Sequence, residues 1–311
     1  MQRLPIVKMD DQRQAVEWSN WCGRESQNQK QKRDKWRGNV CEVYTRLEKK
    51  SKSRPKVLGV PWDFENDEIY FSFEKIVAKA QEISLTKRGL LSLLSSMFDP
   101  VGLISPVIVC MKMLFQDENH KNLGWNDKLE GKAEKKWSKW VLDLSKIKEI
   151  SVSRCIYDGP NQEVLECCLH GFGDASNNAY CTAVYFVCHT RDGTHTRLLA
   201  SRSRVAPLKA LTIPRLELMS ARILAPMMNT VKKALEAQVT LNGTRYWLDS
   251  KMAICWIQNR GEWKQFVRHR VNKILKLTFK EEWRHCLGEE NSADIGSRGA
   301  MRSKLKDSKL W

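Results

Sequence analysis

From Val164 to about Arg204 the chain reads as three apolar, strand-like runs, broken first by a polar turn after Gly171-Phe-Gly-Asp-Ala-Ser and then by Arg191-Asp-Gly-Thr. That length of alternating and buried-strand pattern demands an antiparallel meander. It is followed by Thr212-Ile-Pro-Arg-Leu-Glu-Leu, where Pro214 suits a first helical turn, and by helical periodicity to about Gln238. A short strand-like run, Tyr246-Trp-Leu-Asp, comes next, with Ser250 placed to cap a helix over Met252-Ala-Ile-Cys-Trp-Ile. A further helix from about Lys264 to Leu277, a strand from about Glu282 to Leu287, and a short polar helix start at Asn291-Ser-Ala-Asp complete the order. Strands, then alternating helices and strands, imply an α/β fold with a mixed sheet and flanking helices.

Each of these segments carries one acid at a strand end or helix start: Asp174, Glu217, Asp249 and Asp294. In a mixed sheet such ends gather at one rim, so acids far apart in sequence converge. Four carboxylates held together repel and resist full ionisation. Divalent cations relieve that cost, and Mg2+ suits a few carboxylates, water and phosphate oxygens. Two such ions about 3.5–4 Å apart clamp the attacking and leaving oxygens of a phosphodiester cleavage. Any one of these acids taken alone reads as a solvated charge or a helix cap; the four in order read as a site.

The ordered blocks Gly171-Phe-Gly-Asp-Ala-Ser, Thr212-Ile-Pro-Arg-Leu-Glu-Leu, Trp247-Leu-Asp-Ser and Asn291-Ser-Ala-Asp-Ile-Gly-Ser-Arg-Gly resemble the ribonuclease H domain of BEL/Pao-type LTR retrotransposon polyproteins. Upstream, Val57-Leu-Gly-Val-Pro-Trp-Asp, Thr86-Lys-Arg-Gly-Leu-Leu-Ser and Met97-Phe-Asp-Pro-Val-Gly-Leu-Ile-Ser-Pro resemble the segment joining the reverse transcriptase palm to ribonuclease H. The resemblance spans about residues 56–300 and implies a ribonuclease H-like fold, preceded by a small, mainly helical thumb/connection module. It also implies Mg2+, with Mn2+ as an alternative, at Asp174, Glu217, Asp249 and Asp294, and cleavage of RNA paired to DNA. On the same grounds Asp174 bridges two ions, Glu217 and Asp249 complete one, and Asp294 completes the other. Ser176, Asn177 and Asn178 are candidates for 2'-hydroxyl contacts, with a turn role as the alternative. Arg215 and Arg298 either grip phosphate or pair with the nearby acids. Gly173 is expected to let backbone or solvent approach the metal. His285, the nearest histidine before Asp294, lies in a strand-like stretch and reads as packed or surface-exposed rather than as a proton shuttle, and His170 as a strand residue.

The parts expected of a longer polyprotein are not all legible. Lys8-Met-Asp-Asp-Gln-Arg lacks the aromatic residue and the apolar hairpin of a Tyr-x-Asp-Asp polymerase motif, so Asp10 and Asp11 read as surface acids. No Asp-Thr-Gly or Asp-Ser-Gly triplet occurs, so neither polymerase nor peptidase activity is expected. A net charge of +17 over 311 residues favours a polyanionic partner; the resemblance makes that partner an RNA/DNA hybrid and adds the missing reverse transcriptase portion in trans as a further expected one. The competing reading is a catalytically inactive retroelement relic that binds nucleic acid or a partner protein.

Residues 1–55 read as a basic, disordered segment, either a nucleic-acid tether or import signal or a solvated linker. Residues 56–150 read as a remnant palm hairpin, Val57-Leu-Gly-Val with Ile69-Tyr-Phe-Ser-Phe, and a helical module; 160–300 as the ribonuclease H-like domain; and 301–311 as a basic tail. A hairpin without neighbours is barely stable in water, so this one is expected to be marginal or repacked. In the module Lys87, Arg88 and Lys112 either touch a hybrid backbone or stand on solvated helix faces, and no site role is assigned to them. Ten cysteines without a Cys-x-x-Cys pair, and no apolar stretch of about 18 residues, point to reduced thiols, an intracellular (cytoplasmic or nuclear) protein and no membrane partner. Cys181, Cys188 and His189 suit core packing better than zinc.

Overall fold

The computed structural model describes residues 55–63, 65–146, 149–156, 164–191, 193–236, 239–258, 261–306, 308 and 311, so the readings of the first 54 residues lie outside it. The first part is a four-stranded antiparallel sheet with four helices. Strands β1 (Lys56–Val57), β2 (Val60–Asp63), β3 (Glu68–Ser72) and β4 (Glu149–Ser153) lie in that order. Helices α1 (Glu74–Glu82), α2 (Lys87–Ser96), α3 (Ser105–Asn119) and α4 (Lys132–Ser145) come between β3 and β4.

The hairpin expected to lack neighbours has one, and its first run, Val57-Leu-Gly-Val, is itself folded by a turn at Leu58-Gly59 into β1 and the start of β2. β4 returns after the four helices to pair Ile69 with Val152 and Phe71 with Ile150. The β2–β3 turn is locked by Asp67, which accepts from Trp62 Nε1 at 3.0 Å and from Arg154 Nε at 2.6 Å. Of the stripe from Leu85 to Met97, α2 holds Leu90, Leu91, Leu93 and Leu94, and Leu85 and Met97 lie just outside its ends. Thr86 caps Gly89 N, and the helix stops at Ser96, just before the Asp99-Pro100 step. Lys87 is neither solvated nor available to a ligand: it is 5 % exposed and donates to Lys121 O and Leu123 O at 3.1 and 2.9 Å. Arg88 donates to Asn126 Oδ1.

The second sheet has the order β7-β6-β5-β8-β9. Strands β5 (Val164–Ala175), β6 (Ala179–Thr190) and β7 (Gly193–Val205) form the meander; β8 (Gly243–Leu248) and β9 (Trp283–His285) add parallel to β5. β9 is shorter than the strand expected over 282–287, because the chain bends into a 3-10 turn at Gly288–Glu290. Helices α5 (Ile213–Glu236), α6 (Lys251–Ile257), α7 (Gln265–Leu275), α8 (Ala293–Arg298) and α9 (Arg302–Lys306) complete the chain.

The sheet is covered on both faces. A Cβ at Gly171 or Gly173 would strike Leu224, Met228 or Ser220 of α5, whereas Gly296 of α8 sits against Cys181 and Ser203 on the opposite face. Alternation along β5 therefore sends Gly173 toward α5 and Asp174 toward α8. Gly173 is a packing requirement. A Cβ there would lie 2.7 Å from Ser220 Oγ and 2.8 Å from Leu248 Cδ2, so the space left by the missing side chain is filled by those two residues and not by a metal or solvent.

The helical module is fastened to β7 through the Met97 to Pro106 block. Asp99 accepts from Leu103 N and Ile104 N, both at 2.9 Å. Gly102 has φ +81 and lies so close to Ser201 O that a Cβ would collide with it. Ser105 and Ser201 hydroxyls meet at 2.6 Å. The basic tail also docks: Leu305 is buried, and Trp311 Nε1 donates to Leu103 O at 2.8 Å. Cys181 and Cys188 are buried thiols, Cys188 packing 3.5 Å from Cys167, while His189 bonds Thr194.

Candidate active site

Asp174 is the penultimate residue of the central strand β5, between an antiparallel and a parallel neighbour. Asp249 follows the last residue of β8, and Ser250 accepts from Ala253 N to start α6 beside it. Glu217 projects from the first turns of α5. One ligand oxygen from each of Asp174, Glu217 and Asp249 lies within 4.8 Å of the others. The rim expected from strand ends and helix starts is where these three meet.

Their environment is costly for negative charge. Asp174 and Glu217 are each 2 % exposed. Glu217 Oε1 accepts from Ala175 N at 2.8 Å, but Oε2 is buried without a partner among the described residues, as is Asp249 Oδ1. Burial, reinforced by the charges of Asp174 and Asp249, pushes the Glu217 carboxyl up to about 10. Burial raises Asp174 as well; a hydrogen bond from the Ser297 hydroxyl opposes the rise, and Asp249 and Asp294 add to it. Asp249 is raised mainly by burial.

Asp294 stands at the flank. It lies on α8, close enough for its charge to act on Asp174 and Asp249, and its Oδ1 accepts from Arg298 Nε at 2.5 Å. Of the two readings of Arg298, the acid pair is the one formed. Ser176, Asn177, Asn178, Ile213, Ser250 and Arg298 line the same cleft as the three acids. Ser176 fastens the turn, donating to Ser297 O at 2.8 Å and accepting from Ala179 N at 3.1 Å. Asn177 and Asn178 are exposed. Arg215 is outside the lining, its guanidinium 5.2 Å from the Phe266 ring.

His285 sits at the rim, its Nε2 3.1 Å from Asp249 O. His170 belongs to the sheet: its ring lies tilted against Trp247 and accepts from the indole N–H, and burial, with Arg245 nearby, lowers it to about 4. Two positioning residues are not evident from sequence. Asn291, fully buried, donates to Gly173 O at 2.9 Å and accepts from Ala293 N, tying the start of α8 to β5. Ser297 orients Asp174 from the same helix. Both fall in the block from Asn291 to Gly299 that carries the resemblance, but only their polarity singles them out there.

The model of the Pao retrotransposon-like RNaseH-like domain matches residues 86–250, a span that includes Asp174, Glu217 and Asp249. The chain belongs to that family. It carries a ribonuclease H-like domain on a mixed sheet, and the retrotransposon resemblance read from its motifs holds. No curated protein matches the chain. Among solved structures, it is similar to the N-terminal RNase H domain of Rv2228c from Mycobacterium tuberculosis, in a maltose-binding-protein fusion, at 16 % identity over 47 % of this chain and 99 % of that one, TM-score 0.29. LC11-RNase H1 in complex with RNA/DNA hybrid, isolated from compost by a metagenomic approach, matches at 16 % identity over 45 % and 99 %, TM-score 0.31. The foamy viral protease-reverse transcriptase in complex with RNA/DNA hybrid matches at 14 % over 70 % and 27 %, TM-score 0.36.

Proposed function

We propose that this Pao-family domain hydrolyses the RNA strand of RNA/DNA hybrids in a divalent-metal-dependent, endonucleolytic reaction. The observation that carries the reading is the trio of carboxylates within 4.8 Å, two of whose oxygens are buried without a partner among the described residues. Such a set is stable at neutral pH only with protons or cations on it, and an all-oxygen donor set of this size fits Mg2+, with Mn2+ as a substitute. Asp174, Glu217 and Asp249 would hold the ion, with Asp294 available at the flank for a second. Bound there, divalent cations supply an acidified water and stabilise the departing 3' oxygen.

The chain's own residues orient this set. Ala175 N–H occupies Glu217 Oε1 and leaves Oε2 for the site. Ser297 occupies Asp174 Oδ2 from α8. Asn177 and Asn178, exposed in the same cleft, would make the 2'-hydroxyl contacts that distinguish RNA from DNA. The net charge of +17 supports a polyanionic substrate, and a reverse transcriptase portion supplied in trans is a compatible partner.

The test is cleavage of an end-labelled RNA/DNA hybrid by the purified chain with Mg2+, beside EDTA and Asp174→Asn. The expected result is nicking of the RNA strand only, abolished by EDTA and reduced at least about a hundredfold by the substitution. Tight hybrid binding without Mg2+-dependent cleavage in the wild type would refute the hydrolytic reading and leave a binding relic.

A further inference from the structure

A second cleft, of about 490 Å3, lies along α5 and carries the opposite charge. Arg202 and Arg204 of β7, Arg222 of α5, and His269, Arg270 and Lys273 of α7 line it, and among the described residues no aspartate or glutamate does. Lys112 of α3 is close enough to Arg204 and Arg202 to feel both. The nearby acid Asp99, whose charge also reaches Lys112, spends its oxygens on Leu103 N and Ile104 N.

The cations are held together rather than spread. Arg270 is pinned by Met219 Sδ at 3.0 Å, Phe266 O at 2.9 Å and the Phe266 ring at 3.5 Å. In that position it lies near Arg222 and near the hydroxyl of Tyr180, which also faces Arg204. Tyr180 is 4 % exposed, so this hydroxyl is a fixed polar point in the wall of the cleft. Arg204, Arg222 and Arg270, which share the cleft with no carboxylate among its described lining residues, repel one another, and an anion seated among them removes the cost.

Position links this cleft to the acids. Ala175, beside Asp174, pairs with Tyr180, and Tyr180 pairs with Arg204. Two strand spacings make the separation about 10 Å. Along α5, Arg222 lies about one and a half turns beyond Glu217, a rise of about 7.5 Å. Duplex advances about 3.4 Å per nucleotide step, so the two clefts are about three steps apart.

We propose that this cleft binds the sugar–phosphate backbone of the nucleic acid engaged at the acid site, with Arg204, Arg222 and Arg270 taking its phosphates. The inference rests on the nucleic-acid reading above and adds the residues that grip the flanking backbone. Planar guanidinium forks suit phosphate oxygens better than point charges do.

The experiment is fluorescence anisotropy of a labelled RNA/DNA hybrid against the full chain in EDTA, so that binding is read without cleavage, across a salt series. The variant is Arg204→Gln with Arg222→Gln; the control removes two exposed charges elsewhere, Lys135→Gln with Lys139→Gln on α4. Loss of two phosphate contacts should flatten the plot of log affinity against log salt by about 1.8, which is about thirtyfold weaker binding at 0.15 M salt. Arg204→Lys with Arg222→Lys should restore most of the slope, which a merely misfolded variant would not allow. Binding by the glutamine variant within about threefold of the control, or no hybrid binding by the wild type, overturns the proposal. Failure of the two readings is separable. Wild-type cleavage with an unaffected glutamine variant sinks the cleft alone, whereas weakened binding in the variant beside a wild type that never cleaves sinks the hydrolysis alone.

Discussion

Glu217→Gln tests the electrostatics of the acid cleft directly, because it removes one ionisable group and keeps its hydrogen bond. The amide Oε1 can still accept from Ala175 N, as the carboxylate oxygen does at 2.8 Å, and the volume is unchanged. The Glu217 carboxyl is raised from 4.5 to about 10 in the folded protein by burial and by Asp174 and Asp249. A carboxyl raised on folding weakens the folded state progressively as pH climbs above the unfolded value, since the unfolded chain gives up its proton and the folded one does not. Between about pH 4.5 and pH 8 each unit costs about 1.4 kcal/mol, an upper bound of roughly 5 kcal/mol. Relaxation and water entry in a real cleft reduce this to about 2 kcal/mol, or roughly 3 °C in Tm for a chain of this size.

The assay is a thermal melt in EDTA from about pH 5 to pH 9, the window in which the raised carboxyl acts. Glu217→Gln should melt level with the wild type at the acid end and above it by an increasing margin as pH rises. Saturating Mg2+ should raise the wild type by more than the variant, because the ion is bound by the folded state and Glu217 helps hold it. A variant that melts at or below the wild type at the alkaline end in EDTA would refute the claim that these carboxylates are stressed in the metal-free protein.

Gly173→Ala should cost about 1–3 kcal/mol in urea unfolding, because its Cβ would meet Ser220 Oγ at 2.7 Å and Leu248 Cδ2 at 2.8 Å. If Gly173 were instead an opening for solvent, the change would be nearly neutral. Asn291→Ala strips the buried Gly173 O of its donor and should cost about 1–3 kcal/mol, with Mg2+ affinity by calorimetry falling as α8 loosens. Unchanged stability and affinity would show that α8 is held by other contacts. Gly102→Ala combines φ +81 with a collision against Ser201 O, so a loss of at least about 3 kcal/mol is expected by denaturant midpoint; a smaller loss would mean that the block over Met97 to Pro106 can shift on β7.

The parts of the fold legible in the sequence are those with a strong local signal. The meander from Val164 to Val205 and the helix from Ile213 have long periodic runs, and the acids sit at their ends, so the rim can be inferred without coordinates. β4 escapes such a reading although Glu149-Ile-Ser-Val-Ser alternates cleanly. It is five residues long, and its partner β3 lies far back in the chain, a pairing that no local pattern reveals. Lys87 misleads for a related reason: a cation on an amphipathic helix looks solvated until the loop carbonyls of Lys121 and Leu123 close over it. Gly173 has the right neighbourhood and the wrong face, since one step along a strand reverses the side.

The two clefts answer each other through α5. Acids buried with orphaned oxygens, Glu217 among them, gain from a cation; guanidinium groups gathered near Arg222, about one and a half turns on, gain from an anion. Neither cluster supports packing as well as apolar residues of the same size would, so both are explained better by ligands than by stability. The acid trio also repels any phosphate brought to it. A cation that neutralises the trio therefore favours the backbone that the arginines hold, and by linkage the bound backbone favours the cation by the same factor. On that argument a chain that binds hybrid through Arg204, Arg222 and Arg270 should load its acid cleft at a lower Mg2+ concentration than the free protein does.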